Sequence, residues 1–148
     1  MKKYRYIIIA VIAFTLGSCE NVSETNDSIV QSIHEDHDDN SIGLDDGKKW
    51  AVVPEMMKHV RSMESDLNQF EGQKDTEYTE LAEKLKSNID LLISSCTMSG
   101  EAHNQLHKWL VPYISLVDDL KASDDREEAN KIYVEIRASL NSFNTYFE

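Results

Sequence analysis

Four runs of apolar residues with helical spacing dominate the chain after Trp50. Within each run, mostly apolar side chains recur in steps of three or four residues, which places them along one face of a helix. Short polar breaks separate the runs. The stripes are Val53, Met56, Val60, Met63, Leu67 and Phe70; Tyr78, Leu81, Leu85, Ile89, Leu92 and Cys96; His103, Leu106, Leu110, Tyr113, Val117 and Leu120; Ala129, Ile132, Ile136, Leu140, Phe143 and Phe147.

This pattern predicts an all-α domain over residues 50–148, folded as an antiparallel, up-down-up-down four-helix bundle. Pro54 suits the first position of a helix, and Asp124 has Glu127 at the spacing of a capping box for the last helix. Pro112 lies inside the third run, where the loss of a backbone donor is expected to kink the helix. A chain of about a hundred residues can close such a core without a disulfide.

The first eighteen residues have the composition of a secretory signal peptide. A basic head precedes an apolar run from Ile7 to Leu16, which is too short for a comfortable membrane span. The run ends in Leu16, Gly17, Ser18 and Cys19, which resembles the lipobox of bacterial lipoproteins. The resemblance implies that residues 1–18 are removed as a signal peptide and that Cys19 is lipidated with palmitate or similar acyl chains.

A lipidated Cys19 would hold the mature chain on a membrane outside the cytoplasm, in the periplasm or on the cell surface. Loss of the leader, which contains three basic residues, takes the formal net charge from −12 to −15. A domain this acidic is unsuited to nucleic acids or anionic lipid surfaces and suits cations or basic partners. We therefore expect attachment to the membrane through the lipid anchor and no nucleic-acid partner.

Residues 19–49 contain the lipidated cysteine and a polar, acidic stretch without sustained periodicity, which predicts a disordered, flexible tether. The segment HEDHDD at residues 34–39 has residue types that bind metals. An acidic linker accumulates the same residues through its composition alone. The interpretation as a solvated tether is therefore favoured over a metal site.

Antiparallel packing would bring soft metal ligands from distant parts of the chain to one end of the bundle. The start of the first helix would lie beside the end of the second and the start of the third. Two histidines four residues apart project from the same helical face. Thiolate and thioether ligands favour copper(I), while imidazole suits copper and zinc. The predicted metal ligands are His103, His107, Cys96, Met98, Met56 and His59.

The same residues also fit ordinary packing, since methionine is a common core residue and a buried cysteine behaves as a small hydrophobe. Metal coordination would, however, account for Cys96, which is the one cysteine besides Cys19 and thus a lone thiol outside the cytoplasm. Haem is not expected. The domain is similar to small four-helix b-type cytochromes, whose first helix supplies a methionine and whose last supplies a histidine; Met56 matches, but the last run contains no histidine.

The sequence supports two hypotheses about the function. The first is a lipid-anchored, extracytoplasmic protein that binds copper or another soft metal. The alternative is a structural or protein-interaction lipoprotein, whose aromatic end at Trp50, Trp109 and Tyr113 contacts an envelope protein. An enzyme is not expected: Cys96 is formally a nucleophile and His103 or His107 a base, but no oxyanion-hole motif or orienting group accompanies them.

Overall fold

A computed structural model of the chain describes residues 41–72 and 75–148. The lipobox with Cys19 and the acidic segment 34–39 lie outside the described residues. The four helices are α1 (Pro54–Gln69), α2 (Asp75–Ser94), α3 (Gly100–Ala122) and α4 (Arg126–Tyr146). The prediction of an all-α four-helix bundle is confirmed.

The helix starts follow from local chemistry at their first turns. In α1, Pro54 occupies the first turn, where its missing N–H costs nothing, and Glu55 follows close to the positive end of the helix dipole. At α4, the Asp125 carboxylate accepts a hydrogen bond of 2.9 Å from the backbone N–H of Glu128. The cap is thus one residue later than the predicted cap at Asp124, which was wrong.

The predicted stripes form the core of the bundle. Met56, Met63, Leu85 and Ile136 are completely inaccessible to solvent, and they come from three different helices. Burial of apolar surface on this scale is the main stabilising contribution to such a fold. Four stripe residues, Val53, Phe70, Cys96 and Ile132, are partly buried and pack against this core.

Hydrogen bonds between helices are in accord with the antiparallel order. Between α3 and α4, the indole N–H of Trp109, in the first half of α3, donates to the carbonyl of Ser139, in the second half of α4, at 3.0 Å. Between α1 and α4, Tyr133 donates to the carbonyl of Leu67 at 3.2 Å, which joins the end of α1 to the first half of α4. The up-down-up-down order is thereby confirmed.

Residues 41–49, assigned above to the tether, form ordered structure against α3. A tight turn at Asp45–Lys48 has positive φ at both central residues, 48° at Asp46 and 83° at Gly47. The preceding Gly43 donates its backbone N–H to the Gln105 side chain at 3.0 Å. The ordered domain therefore begins before Trp50, because its first residues have hydrogen-bond partners on α3.

Trp50 leads into a short parallel pairing with the residues that follow α4. Its backbone N–H donates to the carbonyl of Tyr146 at 2.8 Å, and the N–H of Val52 donates to the carbonyl of Glu148 at 2.7 Å. The pairing places the start of α1 beside the end of α4, as the antiparallel bundle requires.

The third helix contains Pro112 and runs as one element from Gly100 to Ala122, and the kink expected at Pro112 stays a prediction. Trp109 and Tyr113 are buried, with 2% and 0% of their surfaces accessible, and Trp50 is half-buried. The predicted aromatic contact surface is therefore wrong: the rings of Trp109 and Tyr113 stack on each other inside the bundle, at 4.8 Å between centroids.

Among the helices described, none is both long and apolar enough to cross a membrane.

Candidate functional site

A cavity of about 250 Å³ lies between α2 and α3, at the end of the bundle where the loop joins them. One residue of α1, the completely buried Met56, also reaches it. Most of its wall is hydrocarbon. The residues that line it are Met56, Leu92, Ile93, Cys96, Met98, His103, Leu106, His107, Leu110, Val111 and Ile114.

Five of the six predicted ligands line this cavity: Met56, Cys96, Met98, His103 and His107. The juxtaposition arises because α1 and α3 begin, and α2 ends, at the same pole of the bundle. The structure thus brings these five sulfur and imidazole groups together at one cavity, and their role as metal ligands stays a prediction.

Cys96 and His103 make a polar contact in the cavity, with 3.6 Å between Sγ and Nδ1. Cys96 follows the end of α2, where its backbone N–H donates to the carbonyl of Ile93 at 3.2 Å. Gly100, with φ of 68°, turns the chain into α3 and so brings His103 back over the thiol. When Nδ1 carries no proton, the thiol can donate a hydrogen bond to it.

His103 and His107 are neighbours on one face of α3, with ring centroids 4.4 Å apart and ring planes inclined by 53°. The spacing of four residues explains the contact, because such pairs lie one helical turn apart. His103 is half-buried and His107 is exposed. The pair therefore runs from the interior of the cavity to its mouth.

The two thioethers occupy different depths. Met56 is completely buried, whereas Met98, in the loop before α3, is half-buried and packs on the core. Both can act as filler in an apolar wall, and both present a soft sulfur to the same space as the thiol.

His59, the sixth predicted ligand, does not line the cavity. It lies on α1, half-buried, and is close enough to influence Glu55, four residues earlier. The pKa of Glu55 is lowered mainly by its hydrogen bond and charge contact with Lys58, to which His59 adds a smaller effect. The structure does not bring His59 together with the other five residues, because the cavity lies between α2 and α3 and Met56 is the residue of α1 that lines it.

Within residues 41–72 and 75–148, no group of three or more His, Cys, Asp or Glu side chains is placed to hold a metal ion. Cys96 contacts His103, and His103 contacts His107. The preformed part of the site is thus a pair, a thiol and an imidazole, with two thioethers in the surrounding wall.

Two features of the site escaped the sequence analysis. Ile93 and Val111 line the cavity and are also exposed, at 48% and 57%, which gives the mouth an apolar rim. Gln105 is buried, at 8% exposure, and accepts from Gly43 while donating to Glu101 at 2.7 Å. The apolar positions were visible as off-stripe residues, but nothing in the sequence identified Gln105 as an anchor.

Glu101, in the first turn of α3, is engaged outside the cavity lining. Its carboxylate accepts hydrogen bonds from Gln105 at 2.7 Å and Asn104 at 3.3 Å. These hydrogen bonds, that of Gln105 first, lower the pKa of Glu101 and keep it ionised.

Comparisons of the chain with protein-family models, with curated proteins and with solved structures gave no match.

Proposed function

We propose that this protein is a lipid-anchored, extracytoplasmic binding protein whose helical bundle holds a soft metal ion, copper or zinc, in the cavity between α2 and α3. The observation that supports the proposal is the 3.6 Å separation of Cys96 Sγ from His103 Nδ1. Both groups are protein ligands of soft and borderline ions.

The separation has the value expected of two ligands on one ion. Metal–sulfur and metal–nitrogen bonds of about 2.3 Å and 2.0–2.1 Å, as in zinc sites, place their donors 3.6 Å apart when the angle at the metal is about 110°. That angle is close to tetrahedral. A metal could therefore replace the thiol proton between Cys96 and His103 with little movement of the backbone.

The rest of the cavity supplies further donors of the same character. Met56 and Met98 carry thioethers, and His107 carries an imidazole at the mouth. Soft sulfur ligands discriminate against magnesium and calcium, which prefer oxygen. The proposed ligand set is Cys96 and His103, completed by His107, Met98 or Met56.

The test is metal titration of the full-length chain in detergent, under reducing conditions, with copper(I) and zinc(II) in competition with chromophoric chelators. We expect the double variant His103→Ala, His107→Ala to bind at least about ten-fold more weakly, since two ligands are lost. His59→Ala is the matched control and should bind as the wild type does. Equal affinity in the double variant and the wild type would refute the proposal.

The lipid anchor is a separate part of the proposal and is supported by the lipobox at Leu16–Cys19. Mass spectrometry of the amino-terminal peptide from membranes should find a lipidated Cys19 with residues 1–18 removed. Cys19→Ser should release the protein from the membrane fraction, because the acyl chains are its expected attachment. Recovery of that variant in membranes at the wild-type level would contradict the anchor.

The apolar rim favours a second candidate, in which the cavity receives an apolar side chain of an envelope protein. Ile93 and Val111 are exposed beside a cavity whose wall is mostly hydrocarbon. Exposed apolar residues next to a concave surface are typical of contact sites. Crosslinking in envelope membranes should then yield a defined partner. Val111→Asp should abolish this crosslink, and Leu91→Asp, outside the lining, should preserve it. A crosslinking pattern unchanged by Val111→Asp would exclude this candidate.

A further inference from the structure

The cavity contains one acidic group and two basic ones among the described residues that line it. Cys96 is the group that can become an anion, and His103 and His107 are the imidazoles. The remaining lining residues are thioethers and hydrocarbon. The maximum negative charge that this lining can offer a cation is therefore one.

An uncompensated charge is costly in such surroundings. Moving an ion from water into an apolar environment is unfavourable unless an opposite charge balances it. A monovalent ion bound to the Cys96 thiolate gives a neutral unit, whereas a divalent ion leaves one positive charge against an apolar wall. The lining thus favours the monovalent ion on electrostatic grounds.

The carboxylate closest in sequence to the two histidines does not supply the missing charge. Glu101 is held by Gln105 and Asn104 and does not line the cavity. Its two hydrogen bonds would have to break before it could turn toward a metal. The wall itself continues with Leu106, Leu110 and Ile114.

The chemical character of the ligand atoms favours the same monovalent ion as the charge of the lining. Thiolate and thioether ligands are soft and select copper(I). Copper(I) also accepts fewer ligands than the four of a structural zinc site. A thiolate and an imidazole 3.6 Å apart, with Met98 or Met56 alongside, can satisfy it.

We infer that the cavity is selective for a monovalent soft cation, copper(I), over divalent zinc, because it pairs a single thiolate with neutral donors in an apolar wall. This inference rests on the proposed metal-binding function and specifies its ion. On binding, the Cys96 S–H bond breaks, one proton leaves to solvent and a sulfur–copper bond forms. Nδ1 of His103 contributes its lone pair, and the oxidation state of copper does not change.

The inference can be tested by changing the charge of the wall at Val111, which lines the cavity and is 57% exposed. Val111→Glu adds a second negative charge, and Val111→Gln is its neutral match. A divalent ion gains twice as much from the added charge as a monovalent one, so the affinity ratio of zinc(II) to copper(I) should rise about ten-fold or more in the Glu variant relative to the Gln variant. Leu91→Glu, with an exposed side chain outside the lining, should leave the ratio unchanged.

The experiment uses the full-length chain in detergent and measures each ion separately against a chromophoric chelator, with proton release followed at the same time. Tighter binding of copper(I) than zinc(II) by the wild type, release of one proton per copper and the ratio change at Val111→Glu would support the inference. An equal ratio in the Glu and Gln variants, or preference of the wild type for zinc, would overturn it and leave the proposed function standing. A wild type that binds neither ion would overturn the proposed function itself.

Discussion

Sγ of Cys96 lies 3.6 Å from Nδ1 of His103, across the short loop that joins α2 to α3. The two residues are only seven positions apart, so their contact depends on the local path of the loop. The rest of the cavity depends on the bundle, since Met56 reaches it from α1. A change in the loop should therefore alter the contact between Cys96 and His103, whereas a change in helix packing should alter the rest of the cavity.

The thiol should be protected from alkylation when a soft metal is bound. Cys96 is half-buried and reaches the cavity, so a small alkylating reagent has access to it. Saturation with copper(I) should slow its modification about ten-fold or more, because the metal occupies the sulfur lone pair. Peptide mass spectrometry would follow Cys96 specifically. The protection should weaken in His103→Ala and persist in His59→Ala; full protection in His103→Ala would mean that the imidazole is not a ligand.

Gly100 should be required for the turn into α3. Its φ of 68° is unfavourable for any residue with a Cβ, although the space around it is open. Gly100→Ala should therefore lower the free energy of unfolding by about 1 kcal/mol through backbone strain alone. Gly43→Ala, also in open space, is the control and should change it by less than about 0.5 kcal/mol. Urea denaturation would measure both, and equal values would contradict the role of the turn.

Tyr113→Phe should stabilise the protein. The Tyr113 hydroxyl is buried and has no hydrogen-bond partner among the described residues. Removal of an unsatisfied buried hydroxyl should raise the free energy of unfolding by about 1 kcal/mol. Tyr133→Phe provides the contrast, because Tyr133 donates to the carbonyl of Leu67 at 3.2 Å, and its loss should cost about 1 kcal/mol. A destabilised Tyr113→Phe would show that the hydroxyl is satisfied after all.

The same tyrosine should make stability depend on alkaline pH. Burial raises the pKa of Tyr113 above its ordinary value, and Asp66 and Glu64 add to the effect. The folded state therefore keeps the proton at pH values where the unfolded chain releases it, so the contribution is complete below about pH 10 and is lost as the pH rises further. Above that pH, wild-type stability should fall more steeply than that of Tyr113→Phe, by up to about 1.4 kcal/mol per pH unit. Parallel curves from pH 9 to 11.5 would exclude this coupling.

The revised helix cap gives a test with an adjacent control. Asp125 accepts the hydrogen bond from the Glu128 N–H, whereas Asp124 is exposed and lies outside this cap. Asp125→Ala should lower the free energy of unfolding by about 1 kcal/mol, and Asp124→Ala by less than about 0.5 kcal/mol. The opposite order in thermal or urea denaturation would restore the cap predicted from the sequence.

The sequence predicted the fold well because every helix has a stripe that points to one shared core. Leu85 and Ile136 are completely buried as their spacing required. Trp109 was misjudged because α3 is buried over a broader face than a single stripe: Leu106, Leu110 and Tyr113 of the stripe are buried, and so is Trp109 outside it. A stripe with steps of three and four residues marks the centre of a buried face and not its width.

The site was predictable in its level along the bundle but not in its direction around it. Antiparallel order places Met56 and His59 at the same pole, yet Met56 lines the cavity and His59 does not. Two side chains three residues apart on a helix, such as Met56 and His59, differ in direction by about 60° around the helix axis. That angle decides which groove between helices each of them enters. The turn at Asp46–Gly47 was missed for another reason: its residues have the composition of a linker, although Asp-Gly is also typical of turns with positive φ.

The chain that precedes α1 is fastened to the bundle at several points before that helix begins. The Ser41 carbonyl accepts from Lys108, Gly43 bonds to Gln105, and Trp50 pairs beyond α4. Tension applied ahead of Ser41 would therefore be borne first by α3, and only afterwards by α1. The helix that contains both cavity imidazoles would thus be the first to receive a force applied to the chain ahead of Ser41. The hydrogen bond of Lys108 would transmit that force to the neighbouring His107.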